Sequence, residues 1–136
     1  MKKIEHLGIA VKDLAASNQL FEKLLGVGPY KEEEVASEGV RTSFFKNGPN
    51  KIELLEAMTE DGPIAKFLAK KGEGVHHVAF AVEDIKAEIK RLKKEGFTIL
   101  NETLSTSIRR QYPLVYTESL TSSFDNLTLP ENLEDS

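Results

Sequence analysis

Two stretches of the chain alternate apolar with polar or small residues and then break into helical spacing, with matching residue types in the same order. His6-Leu7-Gly8-Ile9-Ala10-Val11-Lys12-Asp13-Leu14 and His77-Val78-Ala79-Phe80-Ala81-Val82-Glu83-Asp84-Ile85 both read His, apolar, small, apolar, Ala, Val, charged, Asp, aliphatic. The period of two predicts a strand buried on one face, and the longer period after each Asp predicts an amphipathic helix. Asp13 and Asp84 stand where an N-cap carboxylate accepts from unbonded first-turn N–H groups and favours the positive end of the helix dipole. Leu14, Leu20, Phe21, Leu24 and Leu25 are expected to form the apolar face of the first helix, ended by Gly26. Ile85, Ile89 and Leu92 are expected to do so in the second, ended by Gly96.

Between the copies, three further strands are predicted around Tyr30 to Ala36, Val40 to Lys46 and Lys51 to Leu55, with turn signals at Ser37-Glu38-Gly39 and Asn47-Gly48-Pro49-Asn50. The first unit therefore reads strand, helix, strand, strand, strand. Gly62-Pro63 opens a short linker helix through about Lys70, with Pro63 in its first turn. An internal repeat of this kind implies two modules that open alike, as strand, helix and glycine. Module one spans about 1–60, the linker helix 63–71 and module two about 73–129, within a single domain of 136 residues. Beyond about Glu102 the pattern thins: Thr103 to Ser107 is polar and Arg109-Arg110 is an isolated basic pair. Two strand candidates remain there, Leu114 to Thr117 and Phe124 to Leu129, and 130–136 reads as a mobile acidic tail.

Hydrophobic residues make up 40% and charged residues 29%, close to the averages for soluble domains. No apolar run approaches the roughly 18 to 20 residues that span a bilayer, and Met1-Lys2-Lys3-Ile4-Glu5-His6 leads straight into a strand, so a cytoplasmic protein is expected. The net charge of -4 comes from 22 acidic and 18 basic residues that are interspersed, which argues against a nucleic-acid surface. Lys66, Lys70, Lys71 and Lys86, Lys90, Arg91, Lys93, Lys94 read as solvated helix faces, or as guides for an anionic cofactor tail. The absence of cysteine leaves His and carboxylate as the donors for any metal.

His6, Gly8 and Ala10 share one strand face, as do His77, Ala79 and Ala81, so each His heads a row of small side chains that leaves an open concave surface. Leu7, Ile9 and Val11 point the other way, toward the core. A lone strand histidine is usually a hydrogen-bonded structural residue. Two at the same place in both copies converge if the copies pair about a dyad. His76, of opposite parity, is expected to be structural. Glu53, between Ile52 and Leu54, is either an exposed edge-strand acid or a buried one that needs a partner or a metal. Imidazole and carboxylate together suit Zn, Mn, Fe, Co or Ni better than Ca or Mg.

Ile4-Glu5-His6-Leu7-Gly8-Ile9-Ala10-Val11, Lys51-Ile52-Glu53-Leu54-Leu55-Glu56 and Gly72-Glu73-Gly74-Val75-His76-His77-Val78-Ala79-Phe80-Ala81-Val82 together resemble the methylmalonyl-CoA epimerases, within the vicinal-oxygen-chelate (glyoxalase, bleomycin-resistance and dioxygenase) superfamily. The resemblance covers residues 1 to about 102. It implies an α+β fold of paired βαβββ modules, one divalent ion (Co, Mn, Zn or Ni) held by His6, Glu53 and His77, and an acyl-CoA thioester substrate. The family's fourth ligand, a Glu in a Gly-Val-Leu-Ile-Glu-Leu strand, has no match. Asp125 is one candidate to replace it: setting Ile52-Glu53 against Phe124-Asp125 gives a spacing of 72, close to the 71 between the two histidines. A reading-frame shift near residue 103 is another account, since codons for Arg109-Arg110-Gln111-Tyr112 can spell the family's Ala-Asp-Asn one nucleotide along. If the last two strands of module two were missing, an unpaired sheet edge would favour association, so a homodimer or larger assembly is expected. The same site also serves lactoylglutathione lyase, which isomerises a hemithioacetal, and the same fold serves non-catalytic ligand-binding proteins of the bleomycin-resistance type. The proton-transfer groups are not identified by the resemblance.

Overall fold

The computed structural model describes residues 3–99, 105–109 and 114–119, with side chains for 4–97. Module one runs β1 (Lys3–Ala10), α1 (Leu14–Leu25), β2 (Lys31–Val35), β3 (Val40–Asn47) and β4 (Asn50–Ala57); α2 (Pro63–Lys71) links it to module two. Module two runs β5 (Gly74–Val82), α3 (Ile85–Lys94), β6 (Thr98–Ile99), β7 (Ser105–Arg109) and β8 (Leu114–Ser119). Eight strands form one sheet in the order β2-β3-β4-β1-β5-β8-β7-β6. That order is palindromic, with β1 and β5 meeting antiparallel at the centre and β4 and β8 lying parallel to them on either side. The α+β fold of paired βαβββ modules is therefore the observed one.

The helices start as the repeat predicts. Asp13 Oδ1 accepts from the Ala16 N–H and Asp84 Oδ1 from the Ala87 N–H, both at 3.1 Å, one N-cap at each strand-to-helix corner. Gly26 ends α1 with φ 79°, a conformation that costs a glycine little.

Three expectations are corrected. Leu20 and Leu24 do not join the apolar face of α1; they are 62% and 71% exposed. The inward stripe is the buried Leu14 with the half-buried Phe21 and Leu25, which pack with Val11, Phe45 and Leu54. Leu20 and Leu24 each precede a stripe residue by one step, a turn of about 100° around the helix. The stripe also carries Asn18, whose Oδ1 accepts from the Ser43 hydroxyl at 2.6 Å, so a polar contact occupies a place that hydropathy alone assigns to leucine.

The second correction lies in module two, where the stretch read as polar and basic forms β7, which pairs antiparallel with both β6 and β8. Cross-strand pairing overrides the weak local propensity of Ser105-Thr106-Ser107. The sheet continues through these strands, and its outer strands among the described residues are β2 and β6. Strand β8 covers the Leu114 to Thr117 candidate. Asp125, the Phe124 to Leu129 candidate and 130–136 lie outside the described residues.

The third correction concerns the face that carries the histidines. It is closed at one end: Ile64 and Phe67 of α2 bury themselves against Ala10, Leu55 and Ala79. Full burial of side chains of this size stabilises by about 1.5 to 3 kcal/mol each. The linker helix is thus a second layer over the site's face, opposite the layer formed by α1.

Candidate metal centre

Cross-strand register aligns two adjacent rows of residues across the sheet. One row is Phe44, Glu53, Gly8, His77 and Leu114, read from β3 to β8. The next is Lys46, Lys51, His6, Ala79 and Tyr116. The two histidines therefore stand diagonally across the β1–β5 seam, each opposite a small residue of the other strand. At Gly8 the small residue is obligatory, because a Cβ there would fall onto the His77 ring.

His6 Nε2 and His77 Nε2 lie 2.9 Å apart, and Glu53 Oε1 is 3.5 Å from the first and 3.3 Å from the second. Of the four candidate ligands, the structure brings these three together, while Asp125 lies outside the described residues. The triangle fits an ion: donors about 2.1 Å from a metal stand roughly 3.0 Å apart at right angles and roughly 3.4 Å apart in a tetrahedron. Both histidines are fully buried and Glu53 is 3% exposed, so the acid is not an edge-strand surface residue. Glu53 Oε1 has no hydrogen bond among the described residues, although it is buried and aimed at the two imidazoles. A buried carboxylate oxygen left in this way normally has a partner such as a cation.

The electrostatics agree with that reading. Burial pushes both His6 and His77 down to about 3; for His6 the negative Glu53 partly opposes the shift. Neutral imidazole is the form that ligates a metal. Burial also raises the Glu53 carboxyl above its usual range, against the pull of His6 and Lys31. A divalent charge would reverse that cost by supplying the counter-ion that burial removes.

His76 departs from its expected place. Gly8 pairs with His77 and Ile9 with Val75, so β5 takes two steps where β1 takes one, and His76 is the extra residue of a β-bulge. The bulge cancels the strict alternation on which its opposite parity rested. Its Nδ1 lies 2.8 Å from Nδ1 of His77, and its ring meets the edge of Phe67 at 5.1 Å between centroids. The adjacent histidines were the visible signal, but a bulge has no signature in residue alternation.

Paired βαβββ modules with a histidine from each central strand and an acid from β4 at their junction define a glyoxalase-type protein. The chain matches the Glyoxalase/Bleomycin resistance protein/Dioxygenase superfamily over residues 5–110 and belongs to it. Within that family it is similar to methylmalonyl-CoA epimerases. It is 37% identical over 99 residues to the ethylmalonyl-CoA/methylmalonyl-CoA epimerase of Cereibacter sphaeroides, covering 72% of this chain and 74% of that protein. It is 35% identical over 101 residues to the human mitochondrial methylmalonyl-CoA epimerase, covering 74% of this chain and 57% of that protein, so it spans little more than half the human enzyme's length. A solved variant of the Streptomyces coelicolor methylmalonyl-CoA epimerase in complex with 2-nitronate-propionyl-CoA superposes with a TM-score of 0.80 at 27% identity, covering 90% of this chain and 96% of that one. No helix among the described residues is long and apolar enough to cross a membrane.

Proposed function

We propose that this chain is a methylmalonyl-CoA epimerase that works with one divalent ion, Co, Mn, Zn or Ni, held by His6, Glu53 and His77. The observation that carries the reading is the convergence of two neutral imidazole nitrogens and one unsatisfied carboxylate oxygen within 3.5 Å of one another, from both modules. The similarity to epimerases supports the substrate class, a thioester whose carbon between two carbonyl groups carries an exchangeable proton.

When bound, such an ion supplies Lewis acidity that stabilises the negative charge developing as that proton leaves. The protein's own part is to hold the donors before the ion arrives. The β1–β5 seam fixes the spacing of the two imidazoles, Gly8 leaves room for one of them, and the layer of α2 keeps water from one side. Inversion also needs proton-transfer groups on both faces of the carbon. The reading expects a homodimer in the cytoplasm, which light scattering and cell fractionation decide.

The test is metal content by mass spectrometry on protein purified without added metal, with the His6→Ala and His77→Ala variants alongside. Inversion of methylmalonyl-CoA is then followed, with a glutathione hemithioacetal as the comparison substrate. About one equivalent of metal, lost in both variants, with turnover of the thioester only, is the expected result. No metal after reconstitution with Co or Mn overturns the metal site, and turnover of the hemithioacetal alone overturns the substrate.

A further inference from the structure

A histidine that ligates through Nε2 must carry its proton on Nδ1, and the group that accepts that proton holds the ring in place. For His77 the neighbour at that position is His76, with the two Nδ1 atoms 2.8 Å apart. Two Nδ1 atoms at that distance share one hydrogen, so the tautomers of the two rings are coupled: if His77 donates from Nδ1, His76 accepts on Nδ1 and carries its own proton on Nε2. That Nε2 is buried without a hydrogen-bond partner among the described residues, and the ring stands edge-to-face on Phe67 of α2 at an interplanar angle of 86°. A partly unsatisfied buried polar ring is an expensive way to fill a core, since an apolar side chain of similar size avoids the cost. Its place at a bulge beside a candidate ligand calls for a role that leucine cannot perform.

We propose that His76 is a positioning residue for the metal centre: it accepts the Nδ1 proton of His77 and thereby presents the Nε2 lone pair of His77 to the ion. The bulge is what makes this possible, because a regular strand would send consecutive side chains to opposite faces. Phe67 backs the His76 ring, so α2 contributes to the centre through His76. The inference rests on the metal reading above.

The experiment compares the parent with His76→Leu and His76→Asn. Leucine removes the acceptor while keeping an apolar filling; asparagine keeps an acceptor oxygen near the place of Nδ1. Zinc and cobalt affinities are measured by competition titration, and the tautomer of His77 in the zinc-loaded protein by nitrogen-15 imidazole spectra. His76→Leu is expected to bind zinc 10- to 100-fold more weakly, with a thermal unfolding midpoint of the metal-free protein no lower than the parent's. His76→Asn should stay within about threefold of the parent, with His77 still protonated on Nδ1. Parent-like affinity in His76→Leu overturns the inference and leaves the metal reading standing. So does an equal loss in both variants when both remain folded. A parent that binds neither ion overturns the metal reading and this inference together.

Discussion

Glu53 of module one and Tyr116 of module two stand at matching positions. Each lies on the strand parallel to its module's first strand, paired with the small residue two places beyond the histidine, Gly8 or Ala79. One is an acid and the other is not. The residues just before the histidines also match in place and differ in kind: Glu5 and His76 are each the extra residue of a bulge. Glu5 accepts from Lys51 Nζ at 2.8 Å, whereas His76 meets His77. The duplicated scaffold delivers two equivalent imidazoles to the seam, and each module then supplies its own kind of support. Symmetry accounts for the histidine pair, and the asymmetry decides what else the centre contains.

The largest expected effect tests the small residues opposite the histidines. Gly8→Ala places a methyl group on the His77 ring, which must leave its position, so metal affinity should fall by about 100-fold or more. Ala79→Gly at the matching site removes a methyl group opposite His6 and closes nothing. It should cost about 1 to 2 kcal/mol of stability through backbone entropy and the lost packing of a buried methyl group, with affinity near the parent's. Equilibrium metal titration of both variants reads the difference, and equal losses would show that the seam is symmetric after all.

Acid should weaken the metal-free protein through both modules at once. His6 and His77 take up a proton near pH 3 when folded and near 6.5 when unfolded. Between those values the unfolded chain binds more protons, so this stability is fully present above about pH 6.5 and is lost as pH falls toward 3. Glu53 acts in the opposite sense: its raised carboxyl favours the folded state at low pH, and that contribution disappears as pH rises through its folded value. The histidines dominate, and urea unfolding should show a loss of a few kcal/mol between pH 7 and about 4.5. His6→Asn and His77→Asn should each remove about one proton's share, roughly 1.4 kcal/mol per pH unit. Unequal slopes would break the equivalence of the two imidazoles.

What the chain discloses follows from how each feature is encoded. The strand, helix and cap of each module are local, so nine matching positions from His6 and His77 onward carry them. Glu53 was legible because an acid between aliphatic residues stands out in a strand. The pairing of β7 was not, since Ser105-Thr106-Ser107 becomes a strand only through neighbours on both sides. Nor was the role of His76, because a bulge is a property of two strands in register and not of one. Leu20 and Leu24 mislead for a related reason: hydropathy marks what a helix is able to bury, and the sheet beneath decides which stripe it does bury.

A smaller effect is expected from giving module two the acid that module one has. In Tyr116→Glu a carboxylate stands at the register counterpart of Glu53, and one added ligand should tighten zinc binding about tenfold, near 1.4 kcal/mol. Competition titration at constant pH measures it. Unchanged affinity would show that the counterpart position in β8 does not serve the centre, and would send the search for a fourth donor back to Asp125.

The smallest effect compares the two module helices. Helix α3 buries Ile89 and Leu92, whereas α1 leaves Leu20 and Leu24 in solvent, one turn apart. If nothing covers them, Leu20→Gln and Leu24→Gln together should change stability by no more than about 0.5 kcal/mol, as surface substitutions do. A loss of 2 kcal/mol or more, growing with protein concentration, would mean that a second copy of the chain buries this stripe. The two modules would then differ in a further respect, one helix packing within the chain and the other between chains. Urea unfolding at two protein concentrations a hundredfold apart separates these outcomes, because only an interface between copies makes stability depend on concentration.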